Sequence, residues 1–91
     1  MNYTVGFHYK GPDASRPDEK ALIEPEEFEG GWPPLLPDVG DSLTLYPREG
    51  VGNEPGLYKV LNRHFAYHTG VCYISVVITD ISSEEMAERI A

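Results

Sequence analysis

LYKVLNRHFAYHTGVCYISVVITDI, residues 57–81, decides the fold. It holds two long runs rich in β-branched and aromatic residues, contains no proline, and is interrupted only at Thr69-Gly70. That composition predicts two antiparallel strands joined by a tight turn. With a two-residue loop, His68 faces Val71 and Tyr67 faces Cys72. One face then carries Leu61, Arg63, Phe65, Tyr67, Cys72, Ile74, Val76 and Ile78, and is the core face apart from Arg63. An arginine there points to a bulge near Asn62 that shifts the register. A three-residue loop with Gly70 left-handed would instead bring His64 and Ala66 beside Cys72 and Ile74.

Working toward the N-terminus, REGVGNEPG (48–56) is a loop by composition, and SLTLYP (42–47) is a strand entered by a turn at Val39-Gly40-Asp41. YTVGFHYK (3–10) alternates, with Tyr3, Val5, Phe7 and Tyr9 on one face and Thr4, Gly6, His8 and Lys10 on the other. This is the period-two pattern of a half-buried strand, and it is the expected edge of the sheet, open to pairing with a second copy. Between these strands lies an acidic, proline-rich loop at 11–38, where Pro17, Asp18 and Glu19 suit the start of a helical turn running to Ile23. At the other end, Ser82 and Glu85 form a capping box for a short tail at 82–91, which needs to dock to be helical.

The expected architecture is one mainly β domain spanning 1–91. Its four or five strands are mostly antiparallel, in a small open barrel or SH3-like roll with a short C-terminal helical turn. A chain of 91 residues buries only about 60–65% of its unfolded surface, a thin but sufficient core. Eight prolines and nine glycines favour such a loop-rich fold over a helix bundle.

Charge narrows the function classes. The formal net charge is −8. Residues 11–31 hold seven acids (Asp13, Asp18, Glu19, Glu24, Glu26, Glu27, Glu29) against Arg16 and Lys20, whereas Leu57–Thr79 has no acid. Such a surface repels phosphates and disfavours generic nucleic-acid binding. It suits a basic partner protein, or mimicry of nucleic acid toward a protein that binds it. The single cysteine allows no internal disulfide. MNYTVGFHYK lacks the basic start and apolar run of a signal peptide, and no segment has the roughly 18 apolar residues of a membrane helix. A cytoplasmic protein is the expectation.

Could 63–73 hold a metal or a nucleophile? Along a strand, His64 and His68 share a face but stand roughly 13 Å apart at about 3.3 Å per residue. Zinc needs ligand nitrogens about 2 Å from the metal, so this pair cannot share one, and the sequence implies no metal or cofactor. His8 could add a third histidine only if the first strand lay beside the hairpin on the same face. A Cys72–His64 dyad would need an orienting group, and the acid-free segment supplies none. Nor does the chain contain GxSxG, HExxH, CxxC or a phosphate loop.

Two functions remain. The first is a non-enzymatic interaction module, an adaptor or inhibitor, whose contacts would be the acids Glu26 and Glu27 with the aromatics Phe28, Trp32, Tyr67 and Tyr73. Trp32 begins WPPLLP, which serves either as an exposed polyproline ligand or, as so thin a core prefers, packs with Leu35 and Leu36 over the domain's own sheet. The second function is a ligand-binding or enzymatic pocket around Arg63, His64 and Cys72. For Arg63 and Lys59 the simpler expectation is ion pairing with carboxylates of the acidic loop or the C-terminal tail. Homo-oligomers are compatible with either function.

Overall fold

The hairpin forms as its residue types dictate. In the computed structural model, which describes residues 1–22, 25–29, 35–45 and 56–90, strands β4 (Gly56–His68) and β5 (Val71–Asp80) pair antiparallel. Tyr67 lies opposite Cys72 and His68 opposite Val71, so the loop is the two residues Thr69-Gly70. Gly70 has φ 77°, a left-handed conformation that only glycine adopts without cost.

Lower in the hairpin the register shifts between Val60, opposite Ile78, and Asn62, opposite Val77. Leu61 is the extra residue of a β-bulge. This corrects the expected core face: Leu61 is exposed, and Val60 points inward in its place. Arg63 remains on the core side, opposite Val76.

The rest of the sheet grows from β5. The strands β1 (Asn2–Tyr9), β2 (Glu26–Phe28) and β3 (Ser42–Leu45) complete an order β2-β1-β5-β4-β3, curled into an open half-barrel. Three of the four pairings are antiparallel. β1 and β5 run parallel from Asn2–Val71 to Tyr9–Ile78. β1 is therefore interior rather than the expected edge. β5 suits the centre because its row Cys72, Ile74, Val76 and Ile78 is buried along the whole strand.

The parallel register sets Tyr3, Val5 and Phe7 beside Cys72, Ile74 and Val76. The core is Val5, Val60, Cys72, Ile74, Val76 and Ile78, with Phe28, Leu36, Leu43, Leu45 and Tyr58 packed against it. Burying each of the larger aliphatic side chains contributes roughly 1.5–3 kcal/mol. Of the expected pair Leu35 and Leu36, only Leu36 joins the core; Leu35 is 101% exposed. Trp32, Ile23 and most of the loop before β4 lie outside the described residues.

The expected helical turn after Pro17 is absent between Asp18 and Leu22. Those amides bond the outer edge of β1 instead: Asp18 N–H donates to the Tyr9 carbonyl (2.9 Å) and Leu22 N–H to that of Phe7 (2.7 Å). A strap at 11–22 thus covers the part of β1 that three-residue β2 does not reach.

At the C-terminus half of the expected capping box forms: Ser82 caps the helix, while the Glu85 carboxylate turns to Lys59 and Arg89. The Glu85 N–H donates to Ser82 Oγ at 3.1 Å, opening helix α1 (Ser83–Ile90). Glu84 and Glu85 at its start and Arg89 near its end complement the helix dipole. Eight residues are too few to hold a helix alone. Met86, buried beneath it, and a Lys59–Glu85 ion pair at 3.8 Å dock it to the sheet. No described helix is long and apolar enough to cross a membrane.

Candidate functional site

The two faces of the hairpin sort the candidate residues. Cys72 points into the core and is fully buried. His64, opposite Ser75, lies on the other face. The two-residue loop therefore separates His64 from Cys72, and the expected pocket of Arg63, His64 and Cys72 is not assembled. Arg63 is engaged elsewhere: its guanidinium pairs with Asp38 at 2.8 Å and lies 5.7 Å from the centre of the Phe65 ring. The expectation of ion pairs for Arg63 and Lys59 holds for both, one from the loop and one from the tail.

The aromatic candidates also divide. Phe28 is half-buried against the core and is not a free contact. Tyr67 is 67% exposed and stacks on Phe65, their ring centres 6.4 Å apart. Tyr73, 49% exposed, is on the opposite face and meets the His68 ring edge-on at 5.6 Å. Glu26 and Glu27 stand exposed on β2, paired with Val5 and Thr4. So Tyr67 and the acidic strand lie apart, separated by the width of β1 and β5, whereas Tyr73 and Glu27 share a row through Thr4 and, with Glu29, line one shallow pocket.

What the structure does bring together is His8 and His64. β1 and β4 flank β5, and the rows His8–Val77–Asn62 and Gly6–Ser75–His64 put both imidazoles on one face. With Lys10, and with Arg16 to Glu19 of the strap, they line a groove of about 780 Å³. His8 is held at 3.0 Å by the Asp18 carbonyl. A carbonyl only accepts, so Nδ1 carries the proton and Nε2 is the nitrogen left for other partners. The ring lies back over Gly6, where a Cβ would be 3.1 Å from Nε2. Glycine is what lets the imidazole settle there.

Sequence reasoning named His8 only as a conditional third histidine, because its place depends on a parallel pairing of residues far apart in the chain, His8 with Val77. The groove's charged side chains are balanced, Lys10 and Arg16 against Asp18 and Glu19. It presents hydrogen-bonding groups on an apolar floor that includes Val77 and Leu61. Among the described residues no three His, Cys, Asp or Glu side chains converge to hold a metal.

Among the described residues one group has a shifted proton affinity. Tyr9 donates its hydroxyl hydrogen to Asp80 Oδ2, and that bond, followed by desolvation and the Asp80 charge, raises its pKa above the ordinary 10.0. Tyr9 also meets Tyr58 edge-on at 6.2 Å. The pair closes the end of the core away from the hairpin tip and is structural.

No family model, no curated protein and no solved structure matches this chain.

Proposed function

We propose that the protein is a non-enzymatic interaction module that binds a basic partner protein through its acidic surface. The observation that carries this reading is how the acids are placed. Asp13, Asp18, Glu19, Glu26, Glu27 and Glu29 are all exposed, on the strap and on and beside β2. The ion pairs among the described residues use other acids, Asp38 and Glu85. With only Arg16 and Lys20 against these six acids on the same segments, the surface is predominantly negative, and such a surface steers an oppositely charged protein and favours one orientation. A nucleic-acid-binding protein held by mimicry of its ligand is one such partner. The cytoplasm is the compartment we assign, because the one thiol, Cys72, is unpaired and buried.

Affinity capture from native lysate at low and moderate salt tests the reading. A basic protein that is retained at low salt and released by added salt supports it. A blank at both salts overturns it.

The groove around His8 and His64 favours a second reading, a small polar ligand bound on the uncovered face of the sheet. Its discriminating sign is a change in the His8 and His64 ring resonances on adding small carboxylates or phosphates, with no partner protein captured.

A further inference from the structure

The outer edge of β4 is covered only at its base. β3 pairs with Gly56–Lys59, and the backbone groups of Val60 bond Gly40 and Asp41 at 2.9 Å each. The Leu61 bulge ends that pairing. Beyond it, among the described residues, no strand lies alongside Asn62–His68.

The hairpin pattern shows which groups are bare. A two-residue loop makes the flanking pair His68–Val71 hydrogen-bonded, and alternation then turns His64 and Ala66 inward as well. Arg63, Phe65 and Tyr67 direct their N–H and C=O groups away from β5. Independent support comes from Arg63, whose N–H is taken at 2.9 Å by the Asn62 side chain rather than by β5. The sheet's terminal strands, β2 and β3, are only three and four residues long. The upper half of β4 is thus the longest bare edge in the described sheet, and such an edge templates strand addition.

We infer that this edge pairs with the same edge of a second copy, antiparallel about a two-fold axis at Phe65. The pattern is self-complementary. Outward-facing groups recur at 63, 65 and 67, so Phe65 meets Phe65 of the second copy and Arg63 meets its Tyr67, both as hydrogen-bonded pairs, the Arg63 N–H exchanging its Asn62 side-chain acceptor for the Tyr67 carbonyl. On one face this sets ring against ring and guanidinium against phenol, pairs that stabilise a ladder. On the other face His64 meets Ala66, large against small.

Charge selects the same edge. Two chains of net −8 repel, and Leu57–Thr79 is the long stretch without an acid. Pairing there leaves the β2 acids at the two far ends of one continuous ten-stranded sheet, free to bind. The contact is short, well under the area of a standard interface, so the dimer is weak and depends on concentration.

Sedimentation equilibrium from micromolar to millimolar protein tests this. The mass is expected to rise from that of the 10.2 kDa chain toward twice that value. The rise should be steeper at about 1 M salt, where the Debye length of about 3 Å screens the repulsion. Phe65→Pro removes an outward N–H and leaves the β4–β5 ladder intact. Tyr67→Lys sets like charges opposite Arg63 at an exposed site, where folding is unaffected. Each is expected to weaken the dimer at least about tenfold, which is about 1.4 kcal/mol. In Phe65→Cys the two Cα atoms would lie about 5.5 Å apart, within disulfide reach, so oxidation is expected to link it and to leave His64→Cys unlinked. A monomer at every concentration and both salts, or a dimer indifferent to both Phe65→Pro and Tyr67→Lys, overturns the inference.

Discussion

Removing Met86 tests how the C-terminal helix is held. α1 has eight residues, too few to be helical by propensity alone. It is docked by the buried Met86, by the Lys59–Glu85 ion pair at 3.8 Å and by a hydrogen bond from the Arg89 guanidinium to the Gly40 carbonyl, while the Ser82 cap and the Glu85–Arg89 pair at 3.2 Å act within the helix. Both ion pairs are about one-third exposed or more and contribute at most about 1 kcal/mol each. Met86→Ala deletes the apolar anchor, and Met→Ala in a core costs 2–5 kcal/mol. The lower end, about 2 kcal/mol, applies here because Met86 lies outside the central cluster and α1 can lift away rather than leave a cavity. For a domain near this length that is a melting temperature lower by about 8–16 °C.

Ser82→Ala alone should cost about 1 kcal/mol as a lost cap. Once Met86 is gone the helix is largely undocked, so the double variant should fall short of the sum. Urea denaturation of the three variants, with amide exchange across 83–90, measures this. Strict additivity, or α1 amides still protected in Met86→Ala, would refute the reasoning.

Three further outcomes follow from particular contacts. The Tyr9 pKa is raised in the folded state, so the protonated phenol is the form the fold favours, and its contribution is complete below pH 10.0 and disappears as pH climbs through the raised value. Denaturation from pH 8 to 11 should therefore show an alkaline loss of stability that Tyr9→Phe diminishes, and an unchanged profile would remove Tyr9 as its source. Cys72 is fully buried and should react with alkylating reagents only on unfolding, at a rate that rises with urea; fast labelling of the native protein would contradict its placement. Gly6→Val puts a side chain against His8 Nε2. It should change stability by no more than about 1 kcal/mol yet shift the His8 ring nitrogen resonances as Nδ1 leaves the Asp18 carbonyl.

Local chemistry was legible in the sequence, and long-range pairing was not. The turn at Thr69-Gly70, the strand alternation of 3–10 and the Ser82 cap each depend on neighbours within a few residues. The bulge expected near Asn62 is present, with Leu61 as its extra residue, but it leaves Arg63 on the core side opposite Val76 and turns Val60 inward rather than Arg63 outward. The same arginine, with Lys59, was rightly expected to take carboxylates, since an isolated cation on an uncharged sheet needs a partner. Hidden from the sequence was the parallel docking of β1 on β5, which spans most of the chain and moves β1 from edge to interior. β2 was hidden too, because three residues with two glutamates carry no strand pattern. The His8–His64 groove depends on both strand order and strand direction. It was therefore out of reach, and so was the free edge of β4, which appears only once β3 is known to stop at Lys59.

The central claim is that a basic protein is held by the acids of residues 13–29. The most direct measurement is the salt dependence of affinity for the captured partner, comparing the native chain with a Glu26→Lys, Glu27→Lys variant of unchanged fold. The account predicts an affinity that falls steadily with salt for the native chain, is much weaker at low salt for the variant, and converges at high salt as screening erases the difference. Equal affinities at low salt would contradict it.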